Sequence, residues 1–226
     1  MAKGSWSSKS QNEWNEQAES WHSKSTHMWT KGSRKIIVPT IETHLPTNST
    51  ILDVGCGDGI GSLLLSQKGY VVTGMDISEE MIRFAQKNSS NHLSFKVGNM
   101  ERLQLDKHTY DAVMCINSLE WTENPYSVMH QVNNVLKPGG LVFCAILGPT
   151  SGPRSNSFPR LLGEKTICNT MMPWEWKELA SKIGWNYIEE KHVYKERVNS
   201  LEVDHLPAKL KQSLSFFTLF IFRKQI

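Results

Sequence analysis

Short apolar runs alternate with stretches of helical spacing through the middle of this chain. Residues 51–54 (Ile-Leu-Asp-Val) read as a strand, followed by the turn Gly55-Cys56-Gly57-Asp58-Gly59. Leu63, Leu64 and Leu65 lie in a helix that should stop at Gly69, a residue suited to helix C-termini. Residues 70–75 predict a second strand ending at Asp76. Ser78 can cap the next helix, with Met81, Ile82 and Ala85 as its buried stripe. Residues 92–97 form a third strand, and 110–116 a fourth, apolar enough to be covered on both faces. A helix over 125–136 opens on Pro125 and ends before Lys137-Pro138-Gly139-Gly140, and residues 141–147 are strand five. Strands alternating with helices predict an open, doubly wound α/β sheet, mostly parallel, with helices on both faces.

The flanks depart from that repeat. Residues 1 to about 15 are rich in Ser, Lys and Asn and should fray. From Trp14 to His44 the pattern is helical, with Trp14, Ala18, Trp21, Met28 and Trp29 as contacts. A second helix over 33–44 should be bent or shortened by Pro39. This division predicts an N-terminal helical cap over residues 1–45 and a main domain over 46–226. Residues 148–170 read as a loop, 173–183 as a helix, and 185–197 and 214–223 as an antiparallel pair ending a seven-stranded sheet. Phe216, Phe217, Phe220 and Phe222 are expected in core and edge positions.

Composition narrows the partners. Of 226 residues, 39% are hydrophobic and 21% charged, as in ordinary soluble globular domains. A formal net charge of +3, with no dense Lys/Arg block, argues against a nucleic-acid partner. No signal-peptide pattern opens the chain and no apolar stretch is long enough to span a bilayer as a helix, so a cytoplasmic protein is expected. Cys56, Cys115, Cys144 and Cys168 form no CxxC pair, and no metal-ligand spacing occurs among the histidines; no metal site is expected.

The glycine turn is the chemical landmark. In an open α/β sheet a ligand crevice lies beyond the carboxyl ends of the strands, and glycines let backbone approach a ligand closely. Asp76, seventeen positions after Gly59, can accept from both hydroxyls of a ribose. Gly-Cys-Gly-Asp-Gly is not the G-x-G-x-x-G of dinucleotide sites, and Asp58 would oppose a pyrophosphate. A cationic, phosphate-free ligand suits the turn better.

With these residues in place, the chain resembles the class I S-adenosylmethionine-dependent methyltransferases, small-molecule acceptors included, and most closely the branch containing quinone-biosynthesis C-methyltransferases. Four segments carry the resemblance: Leu52-Asp-Val-Gly-Cys-Gly-Asp-Gly59, Val72-Thr-Gly-Met-Asp-Ile-Ser78, Tyr110-Asp-Ala-Val-Met-Cys-Ile-Asn117 and Val135-Leu-Lys-Pro-Gly-Gly-Leu-Val142. It implies a Rossmann-like fold and S-adenosylmethionine as cofactor. Asp53, Gly55, Cys56, Gly57 and Gly59 would surround its amino-acid part, and Asp76 its ribose. Ile77, Ser78 and Met81 would flank the adenine with Asn99, Met100 and Glu101; Asn117 and Ser118 would lie beside the sulfonium. Trp29, with Trp21 and Met28, is a candidate cover. Asn99 stands where relatives have Asp, and Glu120-Trp121 where that branch often has a histidine pair.

Methyl transfer from a sulfonium needs alignment of donor and acceptor, and a base only if the acceptor loses a proton as it attacks. Glu120 is the candidate base by position, against the plainer reading of a solvated loop carboxylate. Two other activities remain open from the residues: a cofactor-binding sensor without turnover, and a nicotinamide-dependent oxidoreductase. The acceptor atom, and whether the chain is a monomer or homodimer, stay undetermined.

Overall fold

The computed structural model describes residues 5–226. The chain begins with α1 (Trp6–Thr30) and α2 (Ile37–Glu42), then enters the alternating region: β1 (Thr50–Val54), α3 (Ile60–Gln67), β2 (Val71–Asp76), α4 (Glu79–Ala85), β3 (Leu93–Val97), β4 (Tyr110–Ile116), α5 (Pro125–Val135) and β5 (Leu136–Leu147). It closes with α6 (Pro173–Lys182), β6 (Asn186–Tyr194), α7 (Ser200–Val203), α8 (Ala208–Leu214) and β7 (Ser215–Arg223). The seven strands form one sheet in the order β3-β2-β1-β4-β5-β7-β6. Strands β1 to β5 pair in parallel, and β7 runs antiparallel to both β5 and β6. The expected Rossmann-like, mostly parallel sheet is therefore present. Chain direction across the sheet reverses between β1 and β4, which opens a crevice at their carboxyl ends.

Alternation along the strands supplies two cores. In β4, Ala112, Met114 and Ile116 face a layer with Ile37, Ile41, Leu65 and Ile82 from α2, α3 and α4. Val113 and Cys115 face the opposite layer, with Val128, Met129 and Val132 from α5 and Trp176 from α6. Strand β7 sorts likewise: Phe217, Leu219 and Ile221 join the first layer, Phe220 and Phe222 the second. Burial on both faces explains why the last strand inserts inside the sheet and leaves the half-exposed β6 at the edge.

Three expectations need correction. Helix α1 starts at Trp6, capped by Ser5 accepting from the Ser8 N–H, so residues 6–15 are helical; the predicted fraying of residues 1–4 lies outside the described residues. So polar a helix is marginal alone and is held by tertiary contacts. The second helix is shortened to Ile37–Glu42, as expected of a segment containing Pro39. Pro39 falls in its first turn, where no intrahelical N–H is needed. Strand β5 begins at Leu136, which pairs with Tyr110 before the Pro-Gly-Gly segment. The stretch 148–170 contains a 3-10 helix, Gly152–Leu162. Its anchor is the buried Arg154, whose guanidinium donates to the carbonyls of Leu147, Gly148 and Met171. No periodicity in the sequence announces such a contact.

Trp29 also differs from expectation. It packs into the core at 5% exposure, against Gly61 of α3. A Cβ at Gly61 would lie 2.3 Å from the Trp29 ring. Gly61→Ala should therefore destabilise the protein by about 1–3 kcal/mol through overpacking, measurable by urea unfolding; an unchanged midpoint would mean that this contact is loose.

Candidate functional site

A cavity of about 650 Å³, counting its open mouth, occupies the crevice at the carboxyl ends of β1, β2 and β4. Its floor is the glycine turn. The N–H groups of Gly55 and Cys56 both donate to the Met75 carbonyl, at 2.8 and 3.0 Å, folding the turn against β2. Gly55 and Gly57 have φ of +78° and +55°, a region that penalises any Cβ. A Cβ on Gly55 would also meet Ser118 Cβ at 2.4 Å, and one on Gly57 would stand 3.0 Å from the Trp21 indole nitrogen. Asp76 ends β2 on the cavity wall, its carboxylate accepting from the N–H groups of Gly57 and Ser78, each at 2.9 Å. Burial pushes its pKa up, while these N–H donors oppose the shift.

Ten of the fifteen predicted cofactor residues line this cavity: Gly55 and Gly57, then Asp76, Ile77 and Met81, then Asn99, Met100 and Glu101, and finally Asn117 and Ser118. The other five lie behind the wall. Asp53 is 2% exposed and accepts from the Ser62 hydroxyl at 2.6 Å; burial raises its pKa to about 7, against the pull of Ser62 and Arg34. The Cys56 thiol is buried, and Gly59 packs under Phe95. Ser78 is spent on capping α4 and on Asn15. Trp29 sits in the core.

Glu120 is neither a solvated loop carboxylate nor a cavity base. It is fully buried behind the wall and accepts from the Leu147 N–H at 2.6 Å. Burial pushes its pKa up, with the Leu147 N–H, Arg154 and the Asn117 amide pulling it back. Its carboxylate ties the turn after β4 to the end of β5. Glu120→Ala should cost about 1–3 kcal/mol by orphaning that buried N–H, whereas Glu120→Gln, which can still accept, should cost less in the same denaturant titration. Equal losses would contradict this role.

Sequence reasoning offered an N-terminal cap with Trp21 in its cover, but passed over Trp6, Ser10 and Trp121 in the roof. Trp6, Ser10, Trp14 and Trp21 of α1 all face the cavity, as does Trp121 from beyond β4. Their spacing of four, four and seven marks one helical stripe, a signal the sequence contained. Trp14 makes edge-to-face contacts with Trp21 and Trp121, with ring centres 5.8 and 5.4 Å apart. Polar clasps hold α1 down. Asp58 accepts from the Ser25 hydroxyl and pairs with His22 Nδ1, both at 2.7 Å, and the Asn15 side-chain oxygen accepts from Ser78 Oγ. Asp58 thus serves the helix and not the ligand floor. Arg34 was also missed. It lines the cavity at 8% exposure, its guanidinium 4.7 Å from the Trp21 ring centre and 5.4 Å from that of Trp29. Burial lowers its pKa to about 10, opposed by Asp53, Asp58 and Glu120, so it stays charged at neutral pH.

Residues 52–144 match the family model described as "Methyltransferase domain". That segment holds the glycine turn, Asp76, most of β1 and strands β2 to β4, so the stretch that forms the cavity floor is similar to methyltransferase domains. Two relatives are ubiquinone biosynthesis O-methyltransferases. That of Hydrogenovibrio crunogenus is 37% identical over 107 residues, covering 44% of this chain and 43% of the relative. That of Nitrosospira multiformis is 31% identical over 125 residues, covering 54% and 51%. The chain therefore spans about half the length of the curated relatives it matches. Both are named as O-methylating, whereas the sequence pointed to the C-methylating branch. Among solved structures, a chain of the Haloferax volcanii complex of the Trm112 methyltransferase activator with a methyltransferase superposes with TM-score 0.75 at 18% identity, covering 96% of this chain and 97% of that one. A S-adenosylmethionine-dependent methyltransferase of Methanosarcina mazei superposes with TM-score 0.65 at 23% identity, covering 83% and 98%. These two likenesses establish the fold.

The cavity suits the cofactor of such methyltransferases, S-adenosylmethionine, on its own chemistry. It offers an aspartate at the strand end, a glycine cradle that side chains would fill, and a buried cation held over indole faces with no carboxylate within ion-pairing distance among the described residues. The described residues contain no cluster of His, Cys, Asp or Glu able to hold a metal ion. No helix among them is long and apolar enough to cross a membrane.

Proposed function

We propose that this methyltransferase uses S-adenosylmethionine to methylate a small-molecule acceptor inside the cavity, with α1 and the turn behind it serving as the cap. The observation that carries this reading is Asp76, at the carboxyl end of β2 beside the switch-point strand β1, with its carboxylate on the cavity wall. When bound, the cofactor supplies an electrophilic methyl group on a sulfonium. Asp76 would hold the ribose hydroxyls, and the Asn99 side-chain oxygen, which already accepts from the Glu101 N–H, can take a further donor from the adenine. Arg34 would pair with the cofactor's carboxylate, since it lies beside Trp21 at the Gly57 end of the turn. Asn117 and Ser118 would border the methyl. The indoles of α1 would exclude water there.

Enclosure favours a small acceptor, because α1 is clasped to the rim at Asp58, Ser78 and Asn99. Four buried free thiols agree with a reducing, cytoplasmic setting. Calorimetry with S-adenosylhomocysteine tests the reading: binding that Asp76→Ala strongly weakens is expected, and no binding by the intact chain would sink it.

A further inference from the structure

Resting on the cofactor reading above, we propose that Glu120, sealed behind the cavity wall, is a positioning residue. It fixes the Asn117 side chain with its amide oxygen towards the cavity, where that oxygen favours a cationic sulfonium over a neutral sulfur. Asn117 follows β4 on the wall and has φ of +52°. That left-handed conformation is costly for a residue with a side chain, so contacts have to hold it. Its N–H and its Nδ2 both donate to the Ala145 carbonyl, at 3.0 and 3.3 Å, and its own carbonyl accepts from Trp121 Nε1 at 2.9 Å. Glu120 sits three residues on, in the 3-10 turn Leu119–Trp121.

The two oxygens of Glu120 differ. Oε1 accepts from the Leu147 N–H, whereas Oε2, also buried, has no hydrogen-bond partner among the described residues. A buried polar atom left in that state calls for an explanation. The Asn117 amide lies close enough to favour the ionised form of Glu120. The groups at the inner end of that amide, the Ala145 carbonyl and the Glu120 carboxylate, are both acceptors. The NH2 therefore points inward and the oxygen outward, to the cavity. No donor among the described residues takes that oxygen. Its partial negative charge attracts a sulfonium, and does little for the uncharged sulfur of S-adenosylhomocysteine. A carboxylate that merely satisfied the Leu147 N–H could be replaced by an amide without consequence. One that orients Asn117 could not. In Glu120→Gln the oxygen would stay on Leu147 and an NH2 would meet the NH2 of Asn117. The Asn117 amide would then swing round and present a donor to the sulfonium.

The test measures the affinity of the full chain for S-adenosylmethionine and for S-adenosylhomocysteine by titration calorimetry, and reads their ratio. Loose packing weakens both together and leaves the ratio alone. Asn117→Gly, in which glycine accepts the positive φ without strain, should lower the ratio about three- to tenfold, as expected for one lost polar contact. Glu120→Gln should lower it at least as far, with S-adenosylhomocysteine affinity held within about threefold. The double variant should match Asn117→Gly alone, because Glu120 acts through Asn117. In the unmutated chain, heteronuclear NMR should show the Asn117 side-chain NH2, identified by its absence from Asn117→Gly, protected from hydrogen exchange. A ratio unchanged in Glu120→Gln would make Glu120 a structural residue and overturn the proposal. So would an unchanged ratio in Asn117→Gly, or an Asn117 NH2 that exchanges freely. A further fall in the double variant would overturn it too, since the Glu120 charge would then act directly. If Glu120→Gln does not fold, Asn117→Gly and the exchange measurement still decide. Failure of the unmutated chain to bind S-adenosylhomocysteine is a different result and removes the proposed function with it.

Discussion

Asp76→Ala is expected to lower the affinity for S-adenosylhomocysteine by about 100-fold or more while the fold persists. A carboxylate accepting from two ribose hydroxyls makes two charge-assisted hydrogen bonds, each worth about 1.5–3 kcal/mol, and 2.7 kcal/mol is already a hundredfold. The substitution also releases the N–H groups of Gly57 and Ser78, which Asp76 now holds. Part of the loss will therefore come from a looser glycine turn. Asp76→Asn separates the two contributions. Its remaining side-chain oxygen can still take one N–H, so the turn should stay closer to its present form while one ribose contact goes. Titration calorimetry and thermal melts on the same preparations give both quantities. If Asp76→Ala binds within twofold of the parent chain, the cavity has been assigned to the wrong ligand.

Arg34→Met is expected to move binding and stability in opposite directions. The guanidinium is 8% exposed and rests on the faces of Trp21 and Trp29, without a carboxylate partner within ion-pairing distance among the described residues. Its desolvation is the main influence on its pKa. Replacing such a buried charge with an apolar side chain of similar reach is often neutral or stabilising, even though about 0.5–2 kcal/mol of cation–π attraction disappears. The melting temperature should therefore hold or rise. Cofactor affinity should fall by about 10- to 100-fold, the equivalent of one or two charge-assisted hydrogen bonds to the cofactor's carboxylate. Arg34→Lys keeps the charge but loses the planar fork and should fall between the two. A variant that loses stability and affinity together would identify Arg34 as a packing residue.

Reading the chain from its amino acids recovered most of the sheet because its evidence is local. The strands of the alternating region are short apolar runs bounded by glycine or helix caps, and burial on both faces makes those runs continuous. The glycine turn and Asp76 were legible for a related reason: positive φ and a carboxylate at a strand end are properties of single positions in a known local frame. Ten predicted wall residues followed from that frame. The five that did not reach the wall share a cause. Asp53, Cys56, Gly59 and Ser78 neighbour the landmarks in sequence and Trp29 lies in α1, but which residues reach the wall depends on what is packed against them. Ser62 takes Asp53, Asn15 takes Ser78 and Gly61 makes room for Trp29.

Periodicity and the glycine spacing were enough to determine a doubly wound sheet with a crevice at its switch point. They could not show that a polar helix beginning at Trp6 lies across that crevice, that Arg34 is the cation inside it, or that Glu120 is sealed behind it. Each of those depends on a contact between segments far apart in the chain, such as Trp6 with Trp121 or Glu120 with Leu147. Local pattern records the conformational preference of a segment, whereas long-range contacts are chosen by packing and by the need to satisfy buried polar groups after the segments have met.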